Sequence, residues 1–253
     1  MKFLRTAIVA CAALCAFGAQ AAPFKHRMIA VDDPRAAEAA LQVMEEGGSA
    51  VDAAIAAQMV LTLVEPESSG IGGGAFMLVW DPKQHRVTSF DGRETAPASA
   101  KPGMFLDANG NPRPHFDAVP GGLSVGVPGV LAMLELAHKK YGKLPWDKLF
   151  WPAIKFAELG TPVGEKLART IRAYPQMKNM PDIRRYFYKK NGEPLDEDDI
   201  RKNPELAQTL RAIAKGGAKA FYTGRIAEAI VEKVRNAPVN RGGMQLSDLA
   251  NYQ

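Results

Sequence analysis

The chain has 253 residues, of which 47% are hydrophobic and 23% charged, ordinary values for a globular protein. That composition excludes a disordered chain, a collagen-like repeat and a multi-span membrane protein, and it supplies enough apolar mass for one large domain or two small ones. The formal charge of +5 at pH 7 is too modest to point to nucleic acid, and two cysteines build neither a disulfide scaffold nor a cysteine-rich metal site.

The first residues carry the clearest short signal. Lys2 and Arg5 are followed by an apolar run from Ala7 to Phe17 and then by Ala19-Gln20-Ala21, an A-x-A cleavage pattern. This predicts a cleavable signal peptide over residues 1–21 and a periplasmic or secreted product, residues 22–253. The apolar run is too short to span a bilayer. Ala13-Leu14-Cys15 lacks the small residue that a lipoprotein site needs before its cysteine, so no membrane anchor is expected. Cys11 and Cys15 both lie in the leader; cleavage after Ala21 leaves 232 residues without a cysteine, which excludes disulfides and thiol catalysis. Loss of Lys2 and Arg5 lowers the charge from +5 to +3, and export argues further against nucleic acid.

Asp33-Pro34 reads as a helix start, an Asp N-cap with proline at the first helical position, and Ala36 to Glu46 continues it until Gly47-Gly48. Ser49 caps a second helix, Ala50 to Val64, whose alanines (50, 53, 54, 56 and 57) permit close backbone approach and place it buried against a sheet or another helix. Ser69 to Gly74 is a glycine-rich turn. Ala75 to Trp80 and Arg86 to Phe90 flank Asp81-Pro82 and predict a β-hairpin. Lys101 to Gly126 is broken throughout by Gly and Pro and reads mostly as loop.

Beyond it the pattern is helical: Gly129 to Lys140, Pro145 to Leu159, Val163 to Ala173, Pro204 to Lys215 and Thr223 to Asn236. The basic stretch Glu165 to Lys190 and the acidic stretch Glu193 to Asp199 are expected to be two solvated faces. Ser247 reads as the N-cap of a last short helix that begins six residues before Gln253, which suggests the front part of a longer protein.

Few residues announce chemistry. Gly70-Ile71-Gly72-Gly73-Gly74-Ala75 matches a dinucleotide fingerprint nominally, but that fingerprint follows a strand and opens a helix, the reverse of the order here. The glycines instead permit close backbone approach to a ligand or a neighbouring strand. His26, His85, His115 and His138 lack ligand spacing and read as surface or loop histidines, and no metal or cofactor is expected. Arg93, in Asp91-Gly92-Arg93-Glu94-Thr95-Ala96-Pro97, leaves the second hairpin strand, where a rigid guanidinium can meet a carboxylate through two parallel hydrogen bonds. The plainer alternative is a local ion pair with Asp91 or Glu94.

Three stretches together resemble the γ-glutamyltranspeptidase family: Gly47-Gly48-Ser49-Ala50-Val51-Asp52-Ala53-Ala54, Ser69 to Leu78, and Asp91 to Pro97. Val127-Pro128-Gly129, Tyr141-Gly142 with Leu144-Pro145, Phe221-Tyr222-Thr223-Gly224 and Leu246-Ser247-Asp248-Leu249 extend the likeness from about residue 28 to the end. The resemblance implies an α/β (α+β) N-terminal nucleophile hydrolase, a four-layer αββα sandwich that is incomplete in this chain. It implies a proenzyme that cleaves itself before a threonine, whose new amino group serves as base. It also implies γ-glutamyltransferase and glutathione hydrolase activity through a γ-glutamyl-enzyme. Its partners would be glutathione or other γ-glutamyl amides, amino-acid or peptide acceptors, and the C-terminal small subunit of the same precursor.

By that resemblance Arg93 binds the α-carboxylate of the glutamyl group, and no catalytic residue lies within the chain. Thr62, Thr88, Thr95, Thr161, Thr170, Thr209 and Thr223 all lack the family's Thr-Thr-His setting, so the chain alone is expected to be inactive. A cephalosporin (glutaryl) acylase of the same family and a noncatalytic carboxylate-binding module stay open as alternatives.

Overall fold

The computed structural model describes residues 26–253, so the predicted signal peptide, Cys11 and Cys15 lie outside the described residues. The first helices form as local chemistry dictates. Asp33 has non-helical dihedrals and accepts the Arg35 N–H at 2.8 Å, and Pro34 sits in the first turn of α1, Pro34–Glu45. Gly47, at φ +93°, ends it in the left-handed region that glycine enters without a Cβ clash.

Helix α2, Ala50–Val64, opens with a reciprocal capping box. Ser49 Oγ accepts the Asp52 N–H at 3.1 Å, and Asp52 Oδ2 accepts the Ser49 N–H at 2.8 Å. Val51, Ile55, Met59, Val60 and Leu63 are buried with Ala53, Ala56 and Ala57. A helix apolar on most sides belongs in the interior; α2 packs along α1 and under later helices, so its alanines serve chiefly helix–helix contact.

Strands β1, Ala75–Asp81, and β2, Arg86–Gly92, pair antiparallel from Ala75↔Gly92 to Asp81↔Arg86, one and two residues longer than their patterns predict. Asp81 Oδ1 tightens the turn by accepting the Lys83 and Gln84 N–H groups at 2.9 and 3.2 Å. The Phe90 face packs on a helix described below. Phe76, Leu78, Trp80 and Val87 on the opposite face are more than half exposed.

The loop after β2 contains one short helix, α3, His115–Ala118. Helix α4, Val130–Tyr141, covers the hairpin: Phe90 meets Tyr141 edge-on at 6.1 Å, and the Thr88 and Tyr141 hydroxyls are 2.7 Å apart. The predicted single helix Pro145–Leu159 is instead a 3-10 segment, Trp146–Phe150, followed by α5, Trp151–Leu159. Pro152 has no N–H to donate and fits only in a first turn, so the helix restarts there.

The helix expected from Val163 begins two residues later. Thr161–Pro162 forms β3, α6 runs Glu165–Ala173, α7 runs Pro181–Phe187, and β4, Ile200–Arg201, pairs antiparallel with β3. The Val163 N–H donates to the Asp199 carbonyl at 3.0 Å instead of entering the helix. The basic and acidic stretches are not two separate faces. Arg172 pairs with Asp196 at 2.5 Å and Lys189 with Asp199 at 2.8 Å, exposed contacts that solvent screens and that add little.

The remaining helices are α8, Pro204–Gly216, α9, Lys219–Tyr222, α10, Gly224–Arg235, and α11, Leu246–Ala250. Ser247 is not the cap of α11. Gln245 holds the extended N-cap conformation, and its N–H donates to Asp248 Oδ2 at 2.8 Å, which puts Ser247 inside the first turn. Residues 31–253 form one compact unit. Among the described residues no helix is long and apolar enough to cross a membrane.

Candidate functional site

Arg93 stands one residue past β2, and its main chain is tied on both sides. Asp91 Oδ1 accepts the Arg93 N–H at 2.8 Å, and the Tyr252 hydroxyl donates to the Arg93 carbonyl at 2.6 Å. Thr95 exchanges two backbone hydrogen bonds with Val127, at 3.2 and 2.8 Å, and the Ala98 N–H donates to Asp248 Oδ1 at 3.0 Å. Four contacts from three parts of the chain therefore fix residues 91–98.

The Arg93 side chain is 66% exposed, and its NH1 lies 3.0 Å from Glu94 Oε2. The local ion pair with Glu94 is thus formed, whereas Asp91 serves the main chain. An ion pair this exposed contributes little. Among the described residues no acceptor, Glu94 Oε2 included, takes a hydrogen bond from the guanidinium, which leaves its donors for an incoming carboxylate.

The glycine-rich turn lies beneath this segment. A Cβ on Gly74 would strike Glu94 Oε2 and lie 2.7 Å from the Gly92 carbonyl and 2.8 Å from the Glu94 nitrogen. The Gly73 carbonyl accepts the N–H groups of Gly129 and Val130 at 3.0 and 3.1 Å, at the start of α4. Close approach to a neighbouring strand is therefore what these glycines permit. The turn connects α2 to β1, helix before and strand after, which is not a dinucleotide site.

Tyr252 meets the same segment through the Arg93 carbonyl. Its ring stacks on Tyr222 at 5.8 Å and 10° between planes. The Tyr222 hydroxyl donates to the Pro128 carbonyl at 2.9 Å and accepts the Ala132 N–H at 3.3 Å. Gly129 fits the gap because any Cβ there would strike the Tyr252 hydroxyl and the Gly92 carbonyl. Burial pushes both phenols above their usual range, and the Asp91 and Glu94 carboxylates push Tyr252 the same way, so both remain protonated at neutral pH. Tyr252 lies 159 residues from Arg93, and no local pattern links them.

Among the described residues Thr62, Thr170, Thr209 and Thr223 each donate to the carbonyl four residues back, Thr88 pairs with Tyr141, Thr95 sits in the bridge to Val127, and the Thr161 hydroxyl is buried without a hydrogen-bond partner. His138 is not a surface histidine: its side chain is 16% exposed, and Nε2 donates to the Leu144 carbonyl at 2.8 Å and lies 3.6 Å from Asp52 Oδ1. Among the described residues no group of three or more His, Cys, Asp or Glu side chains is placed to hold a metal.

The fold is the mixed α/β fold of the N-terminal nucleophile hydrolases, with one helix-backed hairpin presenting an arginine at its end. The chain belongs to the γ-glutamyltranspeptidase family, whose profile matches residues 36–253. It is 42% identical over 228 residues to a glutathione hydrolase proenzyme of Bacillus subtilis, an alignment covering 90% of this chain and 38% of that protein. The γ-glutamyltranspeptidase of Helicobacter pylori superposes with a TM-score of 0.84 at 35% identity, over 91% of this chain and 66% of that one. A cephalosporin acylase of Bacillus halodurans gives 0.72 at 30% identity, over 94% of this chain and 46% of that one. The chain therefore spans about two-fifths of the length of the curated relatives it matches.

Proposed function

We propose that this chain is the N-terminal part of a γ-glutamyltransferase and glutathione hydrolase made as a self-cleaving proenzyme. The observation that carries this reading is the Arg93 guanidinium, held on a pinned main chain with donors to spare. A γ-glutamyl amide offers an α-carboxylate that matches the guanidinium fork. The scissile amide lies at the other end of the glutamyl group, so anchoring the carboxylate sets where that amide falls. The attacking threonine belongs to the length of the relatives that this chain does not span. Its hydroxyl would displace the amine from the γ-carbonyl, its own amino group taking and returning the proton. Water or an acceptor amine would then release the glutamyl group.

The same reading assigns a partner to the open face of the hairpin. In a four-layer sandwich a second sheet covers Phe76, Leu78, Trp80 and Val87, and the small subunit of the same precursor would supply it. The 253-residue chain alone should then give no turnover of a chromogenic γ-glutamyl amide and should self-associate in size-exclusion chromatography. Turnover by a verified, uncontaminated sample would overturn the assignment of the nucleophile to the missing length. The full-length precursor should process itself and prefer γ-glutamyl over glutaryl amides. The reverse preference would favour the acylase reading, which the likeness to the Bacillus halodurans enzyme keeps in view.

The leader carries the proposed destination, the periplasm or the medium. Mass spectrometry of the exported protein should find a new N-terminus at Ala22, or within a few residues, because Ala19 and Ala21 occupy the small-residue positions of the cleavage pattern. Exported protein that retains Met1 would overturn this.

A further inference from the structure

We propose that Tyr252 is a positioning residue for the substrate carboxylate, acting through the Arg93 carbonyl. The proposal rests on the reading of Arg93 given above and deepens it. A bidentate ion pair is directional, so its strength depends on where the guanidinium plane points as well as on charge. That direction is inherited from the Arg93 backbone. Two side chains restrain that residue: Asp91 holds its N–H and Tyr252 its carbonyl. The Asp91 contact is local, two residues away, and forms wherever the strand ends. The Tyr252 contact comes from the residues after α11 and joins that part of the chain to Arg93 directly.

The phenol is itself well fixed. It stacks on Tyr222, whose hydroxyl is anchored to Pro128 and Ala132, and it fills the space left by the missing Cβ of Gly129. A rigid ring with one hydroxyl aimed at one carbonyl is what a positioning contact requires. Without that bond the peptide plane between Arg93 and Glu94 is freer to rotate. The guanidinium then reaches the carboxylate from a wider set of orientations. Glu94, whose Oε2 touches the same guanidinium, moves with that plane.

The test uses the full-length processed enzyme and two substrates, a γ-glutamyl anilide and its analogue lacking the α-carboxylate. Tyr252→Phe keeps the stack and deletes the donor. It should lower kcat/KM for the γ-glutamyl anilide about 3- to 10-fold, mainly through KM, the loss of one hydrogen bond. It should leave the analogue unchanged, and it should add nothing in an Arg93→Ala background, because the two act in series.

Equal losses on both substrates, or additivity with Arg93→Ala, would each overturn the proposal and make Tyr252 a packing residue. If Arg93→Ala itself fails to distinguish the two substrates, the reading of Arg93 falls, and this proposal falls with it. The first set of results leaves the Arg93 reading standing, so the two failures are distinguishable.

Discussion

Arg93→Ala in the full-length enzyme should lower kcat/KM for γ-glutamyl amides by about 30- to 3,000-fold. Removing one partner of a desolvated, hydrogen-bonded charge pair costs about 2–5 kcal/mol, much of it from leaving the other charge unpaired, and about 1.4 kcal/mol is a factor of ten. In the chain alone Arg93 is 66% exposed, and a carboxylate there would gain no more than a surface ion pair, about 0–1 kcal/mol. The large figure therefore belongs to the site once the rest of the protein has closed over it. Arg93→Lys keeps the charge, loses the fork, and should still be badly impaired. The loss should fall largely on KM if the contact is equally strong in ground and transition states. It extends to kcat to the degree that the contact sets the angle of attack. Self-cleavage should survive in both variants, since no substrate is bound during it. The deciding comparison is again the analogue without an α-carboxylate: if Arg93→Ala damages both substrates equally, Arg93 is structural.

What could be read from the sequence was set by local chemistry. The Asp33 and Ser49 caps, Gly47 after the first helix and the alternation around Asp81-Pro82 act over three or four residues, and α1, α2 and the hairpin follow them. The position of Arg93 at the end of β2 is legible because the strand pattern stops just before it. Close approach at Gly73 and Gly74 could be inferred from composition, although not that Glu94 and Gly129 are the neighbours. The break before Pro152 is not legible because Trp146 to Leu159 has the composition of one helix. The β3–β4 pair is two residues long on each side, too short to alternate. Tyr252 and Asp52 were invisible as partners of Arg93 and of the Lys143 turn, because spacing carries no information about contacts between residues 91 or 159 positions apart. Such contacts join segments already formed, and they fix how the site is held rather than which elements exist.

The buried carboxylate of Asp52 shows how much one such contact should weigh in stability. Asp52 is fully buried at the third position of α2, yet its Oδ2 accepts three backbone N–H groups: Ser49 at 2.8 Å, Lys143 at 2.8 Å and Leu144 at 3.2 Å. It thus caps its own helix and clasps the turn that leaves α4. The His138 side chain closes the same turn by donating to the Leu144 carbonyl, with its ring nitrogen 3.6 Å from Asp52 Oδ1. Asp52→Ala deletes the shared acceptor and strands three donors beside a cavity. Stranding one buried donor costs about 1–3 kcal/mol, so losing an acceptor shared by three should cost about 3–5 kcal/mol, where an ordinary N-cap change costs about 1. At about 2–4 °C per kcal/mol for a domain of this size, the melting temperature should fall by about 6–20 °C. Asp52→Asn keeps the volume and one acceptor oxygen but turns an NH2 toward the same donors, so it should lie between wild type and alanine. His138→Gln, which can still reach Leu144, should cost less than either. Arg93 is tied to Asp91 and Tyr252, not to this clasp, so kcat/KM per folded molecule should stay within about twofold of wild type. A thermal shift below about 2 °C in Asp52→Ala would show that water satisfies the stranded N–H groups and that the clasp is dispensable.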